Sequence, residues 1–328
     1  MQHCIRPPLP TEASLRRIAD TTGPAAGGAV MATGIVSIGL ALDDETALSN
    51  VLLGLGGALW LGLAAIFFAR VVCQRRRWVE EAASPASLTA AAATAVLGSR
   101  LALLGADWAG YGLLALAFCL WLWLLYPVLA NWLTPTVGVS FLLTVATESL
   151  AVLAARLAIQ QHAAWLGSVA LALLALGLLA YLYSLRHIDL RQLLVGRGDQ
   201  WIFGGALAVA TLAAARTTEA LQSTSTLVAF HGVLTDATIA LWWAAMLWLP
   251  FILAGEVALP KPGYDTRRWS TVFPVGMYAV CSTAAGNVDG LGGLLSFFHI
   301  WIWIALGVWA TVFAGMLRRG IRLLGSQA

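Results

Sequence analysis

Two ionisable residues stand inside otherwise apolar stretches: Arg100 at the end of SLTAAAATAVLGSR and Glu148 within TVGVSFLLTVATES. At the centre of a membrane helix each charge costs roughly 2.5 to 3.5 kcal/mol, so each needs a partner or water. Counted from Ala86 and Pro135, both fall about 20 Å into their segments at 1.5 Å rise per residue, which predicts that they pair. The pair carries two readings. In one, Arg100 offers a positive group to an anion while Glu148 orients it or carries a proton; in the other, the pair is structural. Arg156 and Arg216 lie nearer the opposite ends of their segments, where they can snorkel or attract anions to a vestibule. Asp236, early in an eighth apolar segment, reads as a buried acid or cap.

Nucleophilic and metal chemistry find less support. Gly138-Val-Ser140 has the Gly-x-Ser form of intramembrane serine proteases, but a serine nucleophile needs a base within hydrogen-bond reach. His231 and His299 are both remote from it in sequence. No H-E-x-x-H, no His or Cys cluster, no Walker A and no GxGxxG appears, so no metal, cofactor or enzyme activity is expected. Cys4, Cys73, Cys119 and Cys281 are scattered and read as packing residues.

What must position these residues is set by composition. With 60% hydrophobic and 11% charged residues and a mean hydropathy of +0.82, the chain reads as an integral membrane protein. A window of roughly 20 residues gives ten segments: 25–42, 48–72, 86–105, 110–130, 136–158, 164–185, 201–218, 232–255, 269–287 and 293–317. One transmembrane domain is expected over 25–318, between a segment 1–24 and a tail 319–328. Residues 1–24 carry Arg6, Arg16 and Arg17 without an apolar core, unlike a cleaved signal peptide. Arg70, Arg75 to Arg77, Arg186, Arg191, Arg197, Lys261, Arg267, Arg268, Arg318, Arg319 and Arg322 all fall at one end of the segments. Asp43, Asp44, Glu45, Asp107, Glu219 and Asp289 fall at the other. By the positive-inside rule both termini are cytoplasmic, in a plasma (inner) membrane. The net charge of +3 is therefore a topology signal, and no nucleic-acid partner is inferred.

The segments alternate in kind. Odd ones are small and weakly polar; even ones are bulky and aromatic, holding ten of the fifteen tryptophans. Small residues permit close helix approach, and bulky ones suit lipid. An all-α fold of five hairpins follows, with odd helices in an inner ring and even helices outside. The inner ring either lines a pore or packs as a solid core. In the pore reading Thr33, Gly34, Ser37, Thr94, Gly98, Arg100, Thr144, Thr147, Glu148, Gly204, Thr211, Gly276 and Ser282 line the path or bind substrate.

Trp269-Ser-Thr-Val-Phe-Pro-Val-Gly-Met-Tyr278 adds a constriction: Pro274 frees a carbonyl of the preceding turn, and Phe273 can place a ring across a narrow passage. Together with Val30-Met-Ala-Thr-Gly-Ile-Val-Ser37, Val145-Ala-Thr-Glu-Ser-Leu-Ala-Val152 and Tyr264-Asp, this run resembles the tellurite-resistance/C4-dicarboxylate transporter family. That family includes fungal malate permeases and sulfite exporters and plant slow anion channels. The resemblance spans all ten segments. It implies a central pore, a phenylalanine gate at Phe273 beside Pro274, frequent homotrimers, and small anions as partners. Phe203, with Phe141, is the alternative closing ring. C4-dicarboxylates such as malate are the expected substrate, with chloride, nitrate, sulfite or tellurite-type oxyanions as alternatives. A proton-coupled carrier would need a titratable group in the path, and Glu148 is the candidate.

Overall fold

The structure, a computed structural model, describes residues 19–193, 198–258, 263–290 and 292–325. Cys4, Arg6, Arg16, Arg17, Arg197 and Lys261 lie outside the described residues. Ten long helices occur among them: α1 (Gly27–Leu42), α2 (Thr46–Cys73), α3 (Thr89–Leu103), α4 (Asp107–Ala130), α5 (Leu142–Gln161), α6 (Ala164–Arg186), α7 (Asp199–Ser223), α8 (His231–Ala258), α9 (Trp269–Asp289) and α10 (Gly292–Gly325). Short 3₁₀ turns lead into α1, α3, α5 and α9. Pro24 and Pro85 open two of them, where a missing N–H costs nothing.

Nine of these helices are long and apolar enough to cross a membrane, and the fold is all-α and polytopic. The tenth, α9, has 21 residues and is diluted by Ser, Thr, Pro and Gly. The helix of the last segment runs on to Gly325 rather than stopping near 317, because the arginines there are good helix formers and continue it into water.

The odd helices close a ring in the order α1, α3, α5, α7, α9 and back to α1. Each even helix packs on its hairpin partner and also touches the next odd helix, with α10 reaching round to α1. Burial follows: 72–89% of the apolar window is buried in α1, α3, α5 and α7, against 11–39% in the even helices. Alternation in side-chain size is thus realised as two concentric rings.

Candidate functional site: the ring axis

Two cavities lie on the ring axis. The inner one, about 380 Å³, is lined from the starts of all five odd helices and the turns before them: Met31, Thr89, Val145, Gly205 and Phe273 stand in its wall with Asp199 and Arg267. The outer one, about 40 Å³, is lined from the opposite ends by Ile38, Ser99, Val152, Leu212 and Val280, with Arg156 and Arg216. Helical register puts Ile35, Val209 and Met277 between the two, and each is 2% exposed. The axis is therefore closed by apolar packing between a wide inner and a narrow outer cavity.

Phe273 and Pro274 both line the inner cavity. The approach of α9 to α7 is set at this point. A Cβ on Gly205 would lie 2.6 Å from Pro274 Cγ, so only glycine lets the proline ring seat there. Arg267 reaches the cavity from the turn before α9, where it bonds Asp265 through Nη2 (2.8 Å) and Nε (3.1 Å). Those hydrogen bonds hold the Asp265 carboxyl below its ordinary range and the Arg267 guanidinium above its own. At the far end Arg216 pairs with Glu219 at 2.6 Å.

Four of the hydroxyls expected on the path face the outer ring instead. Trp309, Trp60, Trp121 and Trp242 of α10, α2, α4 and α8 donate indole N–H bonds of 2.9–3.0 Å to Thr33, Thr94, Thr147 and Ser282. Each of these hydroxyls donates in turn to the carbonyl four residues earlier, at 2.7–2.8 Å. They therefore face the outer ring, with the donor and one acceptor position already used. Thr211 in α7 makes the same i−4 bond at 2.9 Å. Thr33–Trp60, Thr94–Trp121 and Ser282–Trp309 share a spacing of 27 residues, but none of these is a bonded pair: each indole bonds the inner helix of the next hairpin.

Arg100 and Glu148 do not pair, contrary to the expectation from their depth. Arg100, 1% exposed, donates to Ser37 Oγ (3.1 Å), Ser49 Oγ (2.8 Å) and Asn50 Oδ1 (3.0 Å). Ser37 and Ser49 also exchange hydroxyl-to-carbonyl bonds of 2.7 and 2.6 Å. This knot ties α1, α2 and α3 together near their outer ends. Glu148 is turned to α6: a Cβ on Gly177 would sit 2.5 Å from its Cγ. Neither carboxylate oxygen has a hydrogen-bond partner among the described residues. The two side chains fail to meet because their depths differ and their faces differ: α5 begins only at Leu142, so Glu148 is six residues into it, whereas Arg100 is eleven residues into α3.

Glycines and aromatics follow the same rule. Gly34 packs on Val96, Gly98 on Leu113 and Leu153, Gly204 on Trp248 and Ile252, and Gly276 on Ile35. These are helix contacts. Phe141 and Phe203 form an aromatic cluster with Tyr181 of α6 and Trp248 of α8, centroids 4.8–5.7 Å apart. The alternative closing ring is thereby turned toward the outer helices. Thr144 is buried, and its hydroxyl has no partner among the described residues. Asp236 is exposed rather than buried, and His299 is an exposed residue bonded to Asp43 at the ends of α10 and α1. Cys281 is buried, whereas Cys73 and Cys119 are exposed.

Five hairpins around an axis with a cavity at each end define a polytopic helical membrane protein. Residues 22–317 match the family of voltage-dependent anion channels (SLAC1), and the chain belongs to that family. Passage of anions across a membrane is its activity. Two uncharacterized membrane proteins of Mycobacterium tuberculosis, MT1776 and Rv1735c, are each 29% identical over 150 residues, covering 44% of this chain and 72% of their own lengths.

Proposed function

We propose that the chain is a passive, gated path for small anions along the ring axis, with Phe273 and Pro274 as the gate at its inner end and Ile35, Val209 and Met277 as a second apolar constriction that must part with it. The observation that carries this is the inner cavity, on which the N-terminal ends of all five odd helices converge. Each such end presents roughly half a positive charge, while the charge of Arg267 in the same wall is largely offset by Asp265 and Asp199. Glu148 lies off the axis against α6, which favours a passive route over proton coupling through that carboxyl. In this reading Arg156 and Arg216 gather anions at the outer cavity, while Arg100 and the threonine hydroxyls brace the ring.

Two observations bear on the anion. An inner cavity of about 380 Å³ accommodates a C4-dicarboxylate such as malate, the substrate the family resemblance suggests. An outer cavity of about 40 Å³ holds little more than a single water-sized species, which favours chloride or nitrate unless that end widens. A plasma-membrane location, cytoplasmic termini, ten spans including α9, and a homotrimer complete the proposal.

The test is flux in proteoliposomes, comparing malate, sulfite, nitrate and chloride with and without a pH gradient. Voltage-driven flux that ignores the pH gradient and rises in Phe273→Ala is the expected outcome. Malate uptake that follows the pH gradient and is lost in Glu148→Gln would overturn the passive reading.

A further inference from the structure

A cavity of about 850 Å³ lies off the axis. It is a groove between the inner-end halves of α8, α9 and α10. Val275, Trp301, Ile304, Val308 and Val312 form its apolar wall, and Arg318, Arg319 and Arg322 stand at its inner end. From Arg318 back to Val308 is about 15 Å along α10, the hydrocarbon depth of roughly one leaflet. The groove is thus apolar where it faces acyl chains and cationic where it reaches headgroups.

Its charge is only partly balanced from within: Asp265, itself bonded to Arg267, is near enough to act on Arg319. Glu256, in the same wall, is already engaged by Arg268 Nη1 (2.7 Å) and Trp201 Nε1 (3.1 Å). No carboxylate lies within salt-bridge distance of Arg318, Arg319 or Arg322 among the described residues. Arginines at a helix end are ordinary topology markers, but of those on the short helix after α2, Arg76 pairs with Glu80 and Arg77 with Asp20 and Glu81. The α10 set heads an open apolar groove, whereas Arg70, beside a second apolar groove, is engaged by Glu81. Gly315 keeps that groove open at the charged end, where Tyr264 already packs 3.1 Å from the site of an added Cβ.

We propose that this groove binds an anionic phospholipid of the cytoplasmic leaflet, with its phosphate on Arg318, Arg319 and Arg322 and an acyl chain along Val308, Ile304 and Val275. Basic pockets between membrane helices on the cytoplasmic side suit such headgroups. Thr271 and Val275 line the groove two residues to either side of Phe273, which faces the axial cavity. A bound lipid therefore packs behind the gate helix.

The experiment is thermal melting of the full-length protein in detergent, titrated with phosphatidylglycerol, phosphatidylcholine or inorganic phosphate. Phosphatidylglycerol should raise the melting temperature by several degrees, with phosphatidylcholine and phosphate giving little. The triple variant Arg318→Gln/Arg319→Gln/Arg322→Gln and the groove-filling Val308→Trp should each lose that shift, while Arg75→Gln/Arg76→Gln keeps it. Equal shifts from both lipids would mean unspecific cover of an apolar face, and a shift from phosphate alone would mean a free-anion site. A groove occupied by a second copy, shown by crosslinking between cysteines placed at Val308 in two protomers, would also overturn the proposal. None of these readouts depends on anion flux, so the axial function and the lipid site can fail separately.

Discussion

The two faces of each inner helix divide the work differently from what their composition suggests. The axial face is mostly apolar, with Met31, Val145, Val152, Leu212 and Phe273 on it and charges only at its two ends. The outward face holds four hydroxyls bonded to tryptophans of the outer ring, while Thr89 and Ser99 stand in the walls of the axial cavities. Polar side chains in this bundle thus serve cohesion: in lipid a hydroxyl finds a stabilising use between helices. A path for weakly held ions is served by walls that do not compete for them.

Substitutions can separate the faces. The largest effect should come from the polar knot. Ser49→Val strips Arg100 of two hydrogen bonds and leaves a buried guanidinium short of partners, which costs about 3 kcal/mol. Arg100→Met should cost less, because Ser37 and Ser49 keep their reciprocal bonds; melting of the two variants checks the order. Next is Phe273→Ala, expected to raise anion flux per folded molecule roughly tenfold, equivalent to about 1.4 kcal/mol off the barrier.

On the outward face, Trp121→Phe should cost about 1 kcal/mol of stability and leave flux per folded molecule unchanged. A flux change larger than Phe273→Ala produces would erase the division of faces. Smallest is Asp265, which bonds Arg267 and is half exposed. Its carboxyl is held below the ordinary range. Its contribution is therefore present above that range and lost as pH falls through the lowered value. Exposure limits it to a few tenths of a kcal/mol. Asp265→Asn should flatten the acid limb of melting against pH by that amount.

Much of the architecture was legible because it rests on amounts. The count of apolar residues, the length of each run and the alternation of small with bulky segments placed α1 to α10 and sorted them into rings. Phe273 and Pro274 were legible as a motif, and they do line the axial cavity. What failed were statements about direction. Arg100 and Glu148 were matched by depth alone, and hydroxyls were assigned to the axis because they are polar. The constant step of 27 residues from Thr33 to Trp60 and from Thr94 to Trp121 was visible, yet a spacing does not state which side chains touch.

The sequence by itself determined that the chain is a helical membrane protein, which segments are helices and which helices bury themselves. Those outcomes follow from transfer free energies summed over some 20 residues, which no single contact can reverse. Tertiary structure alone decided which face of each inner helix meets the axis, where the two arginine-lined ends of the path lie and that an amphipathic groove opens beside α10. Each of those depends on rotations about helix axes fixed by packing between residues far apart in the chain.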